Sequence, residues 1–438
     1  MYRINLQSII RKLRSSGQAE SFYSCCLRGQ AAILTLLLAI FIVSCEESGV
    51  VGGAFVEDQT EITKSVLYTG PVQAFNDPGY TGRLRALAVG AYDDPLFGEV
   101  RALGYMKPSI SQEDVENLFT NDEFELRLVF DSTVYGDPES PASFNIYRTM
   151  ETWRGNEMRY GNEIQFNDQS LVGEFTVNSP TDTIVVQLSS SFRNQYRTFL
   201  ESQASDRDGI YRESTFGLVI VPEPGVNQIL HAKMRPESEE NDSNLQYVRF
   251  RVTREALDDE GQPTGDTEFL YQPAIDWGSS VVRTPPSSQP LGISVHNTLE
   301  QFIEIEPDLD PDDVSSRNFS TAELVLHLNR DVMDLSLPEG HIRPEVDTAI
   351  LYQIPSAERK SDWIFSRSPV SVAEYNEDQG SFRFDVSNYL TNVLFGSIPP
   401  GNFYVTVESQ SGILYSSHIY DDNAGEALRP KFVITAAQ

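Results

Sequence analysis

The sequence predicts an all-β protein: two jelly-roll-like antiparallel β-sandwiches behind a short N-terminal segment. Three observations carry that prediction. Apolar and polar residues alternate along much of the chain, as in Phe124-Glu125-Leu126-Arg127-Leu128-Val129-Phe130 and Tyr247-Val248-Arg249-Phe250-Arg251-Val252. Such a period of two marks strands with one face buried and one face wet. Tyr, Phe and Val are frequent, with 19 Tyr and 24 Phe, and Asn, Asp, Gly and Pro interrupt them as turn residues do. Strand-like blocks also recur twice in the same order.

The elements follow in chain order. Residues 1–44 read as a lipoprotein signal peptide. A basic n-region (Arg3, Arg11, Lys12, Arg14, Arg28) precedes an apolar run from Ala31 to Ser44 that closes on Ile42-Val43-Ser44-Cys45. The run is about 14 residues, short of the roughly 20 that a spanning helix needs, and its flanks are those of a processed segment. Cleavage before Cys45 would leave that cysteine at the new N-terminus to carry acyl chains; an uncleaved anchor is the alternative. The n-region is long enough that translation starting near Leu27 is also compatible with it. Residues 45–64, opening on Glu46-Glu47-Ser48-Gly49, read as a lipid-anchored tether.

Residues 65–119 form the N-terminal segment, 120–256 the first sandwich, 257–317 a hairpin and acidic connecting segment, and 318–438 the second sandwich. The two copies match block by block. Leu126–Phe130 corresponds to Leu324–Leu328, and Phe144–Arg148 to Thr348–Tyr352. Ile184–Leu188 corresponds to Phe382–Val386, Phe216–Ile220 to Phe403–Val407, and Tyr247–Val252 to Lys431–Thr435. Thr267-Glu268-Phe269-Leu270-Tyr271 returns after a loop over Asp258–Asp266, as a hairpin would. Helical candidates are short: Ser111–Leu118, Ser190–Leu200 and Ser387–Leu394.

Bulk composition narrows the function classes. Five of the 33 basic and one of the 64 acidic residues precede Glu46, so the chain from Glu46 on carries a formal −35. That field opposes nucleic-acid binding. No cysteine follows Cys45, which leaves the mature chain without an internal disulfide, a thiolate metal site or a cysteine nucleophile. No nucleophile elbow, P-loop or dinucleotide fingerprint occurs. Carboxylates are too abundant for any pair to mark a glycosidase. His231, His296, His327, His341 and His418 have no metal-ligand spacing. The expectation is therefore a protein that is not an enzyme.

Two candidate sites remain. Asp308, Asp310 and Asp312 alternate along Asp308-Leu309-Asp310-Pro311-Asp312-Asp313 and could offer hard oxygens to calcium. The sixth loop position is Asp313 rather than Gly and the twelfth is Phe319 rather than Glu, so this is not an EF-hand; a solvated acidic linker accounts for the same run. Trp277, flanked by the turn-formers Asp276 and Gly278, is the candidate for an exposed ligand-binding aromatic. Trp153 and Trp363 stand at matching places in the two copies and read as core residues.

Two family resemblances follow from particular residues. The stretch Val89-Gly90-Ala91-Tyr92-Asp93-Asp94-Pro95-Leu96-Phe97-Gly98, with Ala102, Tyr105 and the Cys45 lipobox, resembles the DUF4270-like lipoproteins of Bacteroidetes. The second copy resembles DNRLRE-like β-sandwich modules through Phe382–Leu390, Tyr415-Ser416-Ser417-His418 and Arg429-Pro430-Lys431-Phe432-Val433-Ile434-Thr435, although the family's Asn-Arg/Leu-Arg-Glu signature is absent. These resemblances imply an envelope lipoprotein, with modules associated with extracellular polysaccharide-degrading proteins. The functional expectation is a lipid-anchored outer-membrane protein with a non-catalytic binding or adhesion role, toward glycans. The alternative is a periplasm-facing scaffold that partners other envelope proteins.

Overall fold

The computed structural model describes residues 62–110, 118–181, 183–235, 246–258, 262–288, 290–297, 301–308, 319–354, 360, 368–398, 401–407 and 411–437. Residues 62–438 form one compact unit. Two strands come first, β1 (Ile62–Tyr68) and β2 (Val72–Phe75). The first copy then runs through β3 (Ala86–Asp94), β4 (Gly98–Pro108), β5 (Glu123–Val129), β6 (Tyr135–Gly136), β7 (Ala142–Thr149), β8 (Phe166–Val177) and β9 (Thr183–Gln187). It continues with helices α1 (Ser190–Leu200) and α2 (Arg207–Arg212), then β10 (Leu218–Pro222), β11 (Gln228–Lys233) and β12 (Arg249–Leu257). A second strand pair follows, β13 (Pro263–Gln272) and β14 (Ala274–Thr284). The second copy begins with β15 (Ile293–His296), β16 (Phe302–Ile305), β17 (Phe319–His327), α3 (Arg330–Ser336), β18 (Thr348–Gln353) and β19 (Ser371–Asn376). It ends with β20 (Ser381–Asp385), α4 (Ser387–Leu394), β21 (Phe403–Val407), β22 (Ser416–Ile419) and β23 (Lys431–Ala437).

The fold is an all-β arrangement of antiparallel sandwiches, and the repeat read from the sequence is a repeat of strand pairing. In the first copy β5 pairs with β9 and β12, and in the second β17 pairs with β20 and β23. Leu126 opposes Val186 and Phe250, while its counterpart Leu324 opposes Phe384 and Phe432. The opposite layers match as well. The chain β4–β10–β7–β8 has the same pairings as β16–β21–β18–β19, and β3–β11 the same as β15–β22.

The strand pairs that precede each copy are exchanged. β1 adds to β23, from Ile62↔Ala437 to Tyr68↔Lys431, and β2 adds to β16. β13 adds to β12 and β14 to β4, which are the equivalent edges of the first copy. Each copy is thus completed by the pair that stands in front of the other. This corrects two expected boundaries. Residues 65–119 are no separate segment, because β1–β2 belong to the second sandwich and β3–β4 to the first. Residues 257–317 are no mere connector, because β13–β14 finish the first sandwich while β15–β16 begin the second. The physical reason is that an open sheet edge recruits whichever strand the chain brings beside it, and edge pairing is mediated by backbone groups without a side-chain signature.

Each copy has its own core, filled by the inward residues of the alternating strands. Phe124, Leu126, Leu128, Phe144, Ile146 and Phe250 anchor the first; Leu324, Leu326, Leu351, Phe384, Val405 and Phe432 anchor the second. Helix α1 closes the first core with Phe192, Tyr196 and Leu200, a four-residue spacing that lines one helical face. Its N-cap Ser189 accepts from the Phe192 N–H. Phe124 and Tyr196 stack with centroids 4.8 Å apart. The expected helices over 190–200 and 387–394 are present; the expected helix over 111–118 lies almost wholly outside the described residues.

The two copies are clasped along β3 and β6. Gly136 and Ile342 exchange both backbone hydrogen bonds, at 2.8 and 2.7 Å. The Tyr92 hydroxyl lies 3.0 Å from His341 Nδ1. Ala86 donates its N–H to the Ser411 carbonyl at 2.7 Å, beside Gly412, whose φ of +81° and approach to the Ala86 carbonyl leave no room for a Cβ.

Candidate functional site

The most developed surface is the outer face of the four-stranded sheet β13–β12–β5–β9. Because Phe124, Leu126, Phe250 and Val252 point into the core, the residues between them point out. Strand register then lines up Gln187, Glu125, Arg251 and Tyr271 in one row across all four strands. Val185, Arg127 and Arg249 form the next row on one side, and Glu123, Thr253 and Phe269 the next on the other.

Internal bonds fix this face. Glu125 Oε2 accepts from Arg251 Nε at 2.7 Å and from Thr253 Oγ1 at 2.5 Å. The Glu125 hydrogen bond is the main cause that raises the Arg251 guanidinium above its ordinary value. Held in this way, the guanidinium lies 4.7 Å from the ring centre of Phe269, which is 46% exposed. Tyr271 stands two residues further along β13 on the same face, half-buried. The result is a sheet face on which two aromatic rings flank a guanidinium anchored by Glu125. Such a surface suits ligands that present an apolar ring face together with hydroxyl oxygens.

The expected site residues are scattered. Cys45, Asp310, Asp312 and Trp363 lie outside the described residues. Asp308 is exposed just after β16, and among the described residues no group of three or more His, Cys, Asp or Glu is placed to hold a metal ion. Trp277 is not on a turn. It lies within β14 opposite Met106, half-buried, with its ring against the first core and Nε1 donating to the Leu84 carbonyl at 2.8 Å. The turn-formers beside it are absorbed differently: a bulge next to Asp276 lets that carboxylate accept from Arg83 and the Gly155 N–H. Trp153 is buried, as expected.

The perturbed titratable groups serve the scaffold. Asp94 is fully buried; burial alone would raise its carboxyl, but the Arg343 hydrogen bonds and charge, with the Phe97 N–H and Tyr135 hydroxyl, hold it below the usual range. Burial brings the Lys107 ammonium down to about 8, and its Nζ donates to the carbonyls of Trp153, Arg212 and Ser214. Burial lowers His231 to about 4; its Nδ1 is 2.9 Å from the Thr133 carbonyl and its Nε2 accepts from the Leu414 N–H at 3.0 Å. Those two partners fix one neutral tautomer.

The outer sheet face was readable in principle from Phe269-Leu270-Tyr271, since Leu270 packing inward sends both rings outward. The Asp94 cluster had only the Tyr92–Gly98 motif as a signal, with no indication of its partner.

No family model matches the chain, and no curated protein matches it. Among solved structures, a "putative secreted protein" from Parabacteroides distasonis aligns with 84% of this chain and 99% of its own, at 10% identity and a TM-score of 0.17. A T=3 nodavirus of Penaeus vannamei aligns over 87% and 92%, at 10% identity and a TM-score of 0.14.

Proposed function

We propose that this chain is a lipid-anchored cell-envelope protein, held in the outer membrane through acylated Cys45, with a non-catalytic binding or adhesion role toward polysaccharide. The observation that carries the reading is the outer face of β13–β12–β5–β9, where exposed Phe269, half-buried Tyr271 and the Glu125-fixed Arg251 share one surface. Aromatic residues and arginine are also the side chains that dominate recognition energetics generally. The engagement of Asp94, Lys107 and His231 in structural bonds supports a role without catalysis. The kinship to DUF4270-like lipoproteins and DNRLRE-like modules belongs to the same proposal. So does calcium, whose candidate Asp308 is exposed in the segment that follows β16.

The alternative is a periplasm-facing scaffold, and it draws on β13. This strand stands at the edge of its sheet, where a partner strand can add.

Protease treatment of intact cells, with a periplasmic protein as control, separates the two. Cleavage of this protein with the control intact supports surface adhesion. Protection until lysis overturns it in favour of the scaffold.

A further inference from the structure

A concavity separate from that sheet face lies where the two copies meet, and its lining is opposite in charge to the chain as a whole. It encloses about 220 Å³ and is bordered by Arg85, Asp131, Lys233, Arg235, Tyr247 and Ser411. Three cationic side chains against one carboxylate give it a local positive charge, in a protein whose formal net charge is −31. The first copy supplies these side chains from the start of β3, the turn after β5, the end of β11 and the approach to β12. The second copy supplies Ser411 and Ile413.

The walls are fixed. The Ser411 carbonyl accepts from the Ala86 N–H, and three residues later the Leu414 N–H is held by His231 Nε2, so the second copy's loop is pinned at both ends to β3 and β11. Asp131 Oδ1 accepts from the Thr133 N–H, and its Oδ2 lies 3.6 Å from Lys233 Nζ. Arg235 projects into solvent at the rim and Tyr247 is half-buried.

We propose that this junction pocket binds one acidic sugar residue, a hexuronate, with its carboxylate on Arg235 and Lys233 and its ring face against Tyr247. Guanidinium groups pair with carboxylates through two parallel hydrogen bonds, and an aromatic ring offers an apolar platform to the C–H face of a sugar. The volume is below the ~300–1,000 Å³ of a drug-sized site, which suits a single ring. The acidic field of the whole chain acts on every anion that approaches the pocket. It repels a multiply charged phosphate more strongly than a singly charged carboxylate. The proposal rests on the polysaccharide-binding reading but uses residues remote in sequence from the outer sheet face.

The test is calorimetric titration of the mature full chain with galacturonate, galactose and inorganic phosphate, repeated on Arg235→Gln and on Phe269→Ala. Arg235 is exposed, so its replacement leaves the fold intact. Saturable galacturonate binding, absent for galactose, that weakens about tenfold in Arg235→Gln and is unchanged in Phe269→Ala supports the proposal. That result supports it even where the outer sheet face binds no polysaccharide. Equal binding of phosphate and galacturonate overturns the sugar assignment. No saturable galacturonate binding, or binding indifferent to Arg235→Gln, overturns the pocket while leaving the broader reading in place.

Discussion

Asp94 and Arg343, separated by 249 positions, form a two-pronged ion pair at the junction of the two copies, with Nε to Oδ2 at 2.9 Å and Nη2 to Oδ1 at 2.7 Å. Their side chains are 0% and 4% exposed. The same carboxylate accepts from the N–H groups of Leu96 and Phe97 and from the Tyr135 hydroxyl, while Arg343 also donates to the Met333 carbonyl within the second copy's first helix. One carboxylate therefore shapes the β3–β4 turn and ties it to the other copy.

Removing one member of a buried pair strands the other in a dry site. Asp94→Asn is expected to cost about 3–5 kcal/mol of stability, read from urea unfolding. Arg343→Met in the same background should recover part of that loss, because the stranded cation is then gone. Equal destabilisation by the single and double variants would contradict this account of the junction.

Acid should loosen the junction through His231. Its folded-state value is depressed to about 4 from an ordinary 6.5, so the unfolded chain binds the proton first as pH falls. The contribution is therefore fully present above about 6.5 and is lost as pH falls toward about 4, on the order of 3 kcal/mol. Unfolding free energy measured across that window should decline, and His231→Gln should flatten the decline. A parallel slope in the variant would assign the acid sensitivity elsewhere.

Lys107 works in the alkaline range. Its folded value near 8 lies below the ordinary 10.5, so between these the unfolded chain holds more protons and stability rises with pH. Lys107→Met removes that rise, although it also leaves the carbonyls of Trp153, Arg212 and Ser214 without their donor. A rise that persists in the variant would contradict the assignment.

The exchange of strand pairs makes an asymmetric prediction. Deleting residues 62–75 strips β1 from β23 and β2 from β16, yet removes no strand of the first sandwich. Hydrogen exchange should show lost protection in β16, β17 and β23, while β5, β9 and β12 keep theirs. Equal loss in both copies would mean that they fold as one cooperative block.

Much of the fold was legible because side-chain periodicity encodes it. Alternation in Phe124–Phe130 and Tyr247–Val252, and the four-residue spacing of Phe192, Tyr196 and Leu200, report which face is buried. The capped short helices at Arg207–Arg212 and Arg330–Ser336 were missed, although Asp206 and Asn329 cap them, because so few residues display no period. The destinations of β1–β2 and β13–β14 were not legible either. Pairing at a sheet edge is made by backbone groups, which every residue carries. Trp277 was misread for a related reason: Asp276 and Gly278 look like turn-formers, yet Asp276 sits beside a bulge and Gly278 pairs in regular register with Tyr105 inside the same strand.

The central claim is that the outer face of β13–β12–β5–β9 binds polysaccharide. The most direct measurement is the affinity of the mature protein for a panel of envelope and host polysaccharides, compared with the Phe269→Ala/Tyr271→Ala variant at matched stability. The account predicts saturable binding to at least one polysaccharide, reduced about tenfold or more when both rings are removed. No binding across the panel, or binding that is indifferent to the loss of Phe269 and Tyr271, would contradict it.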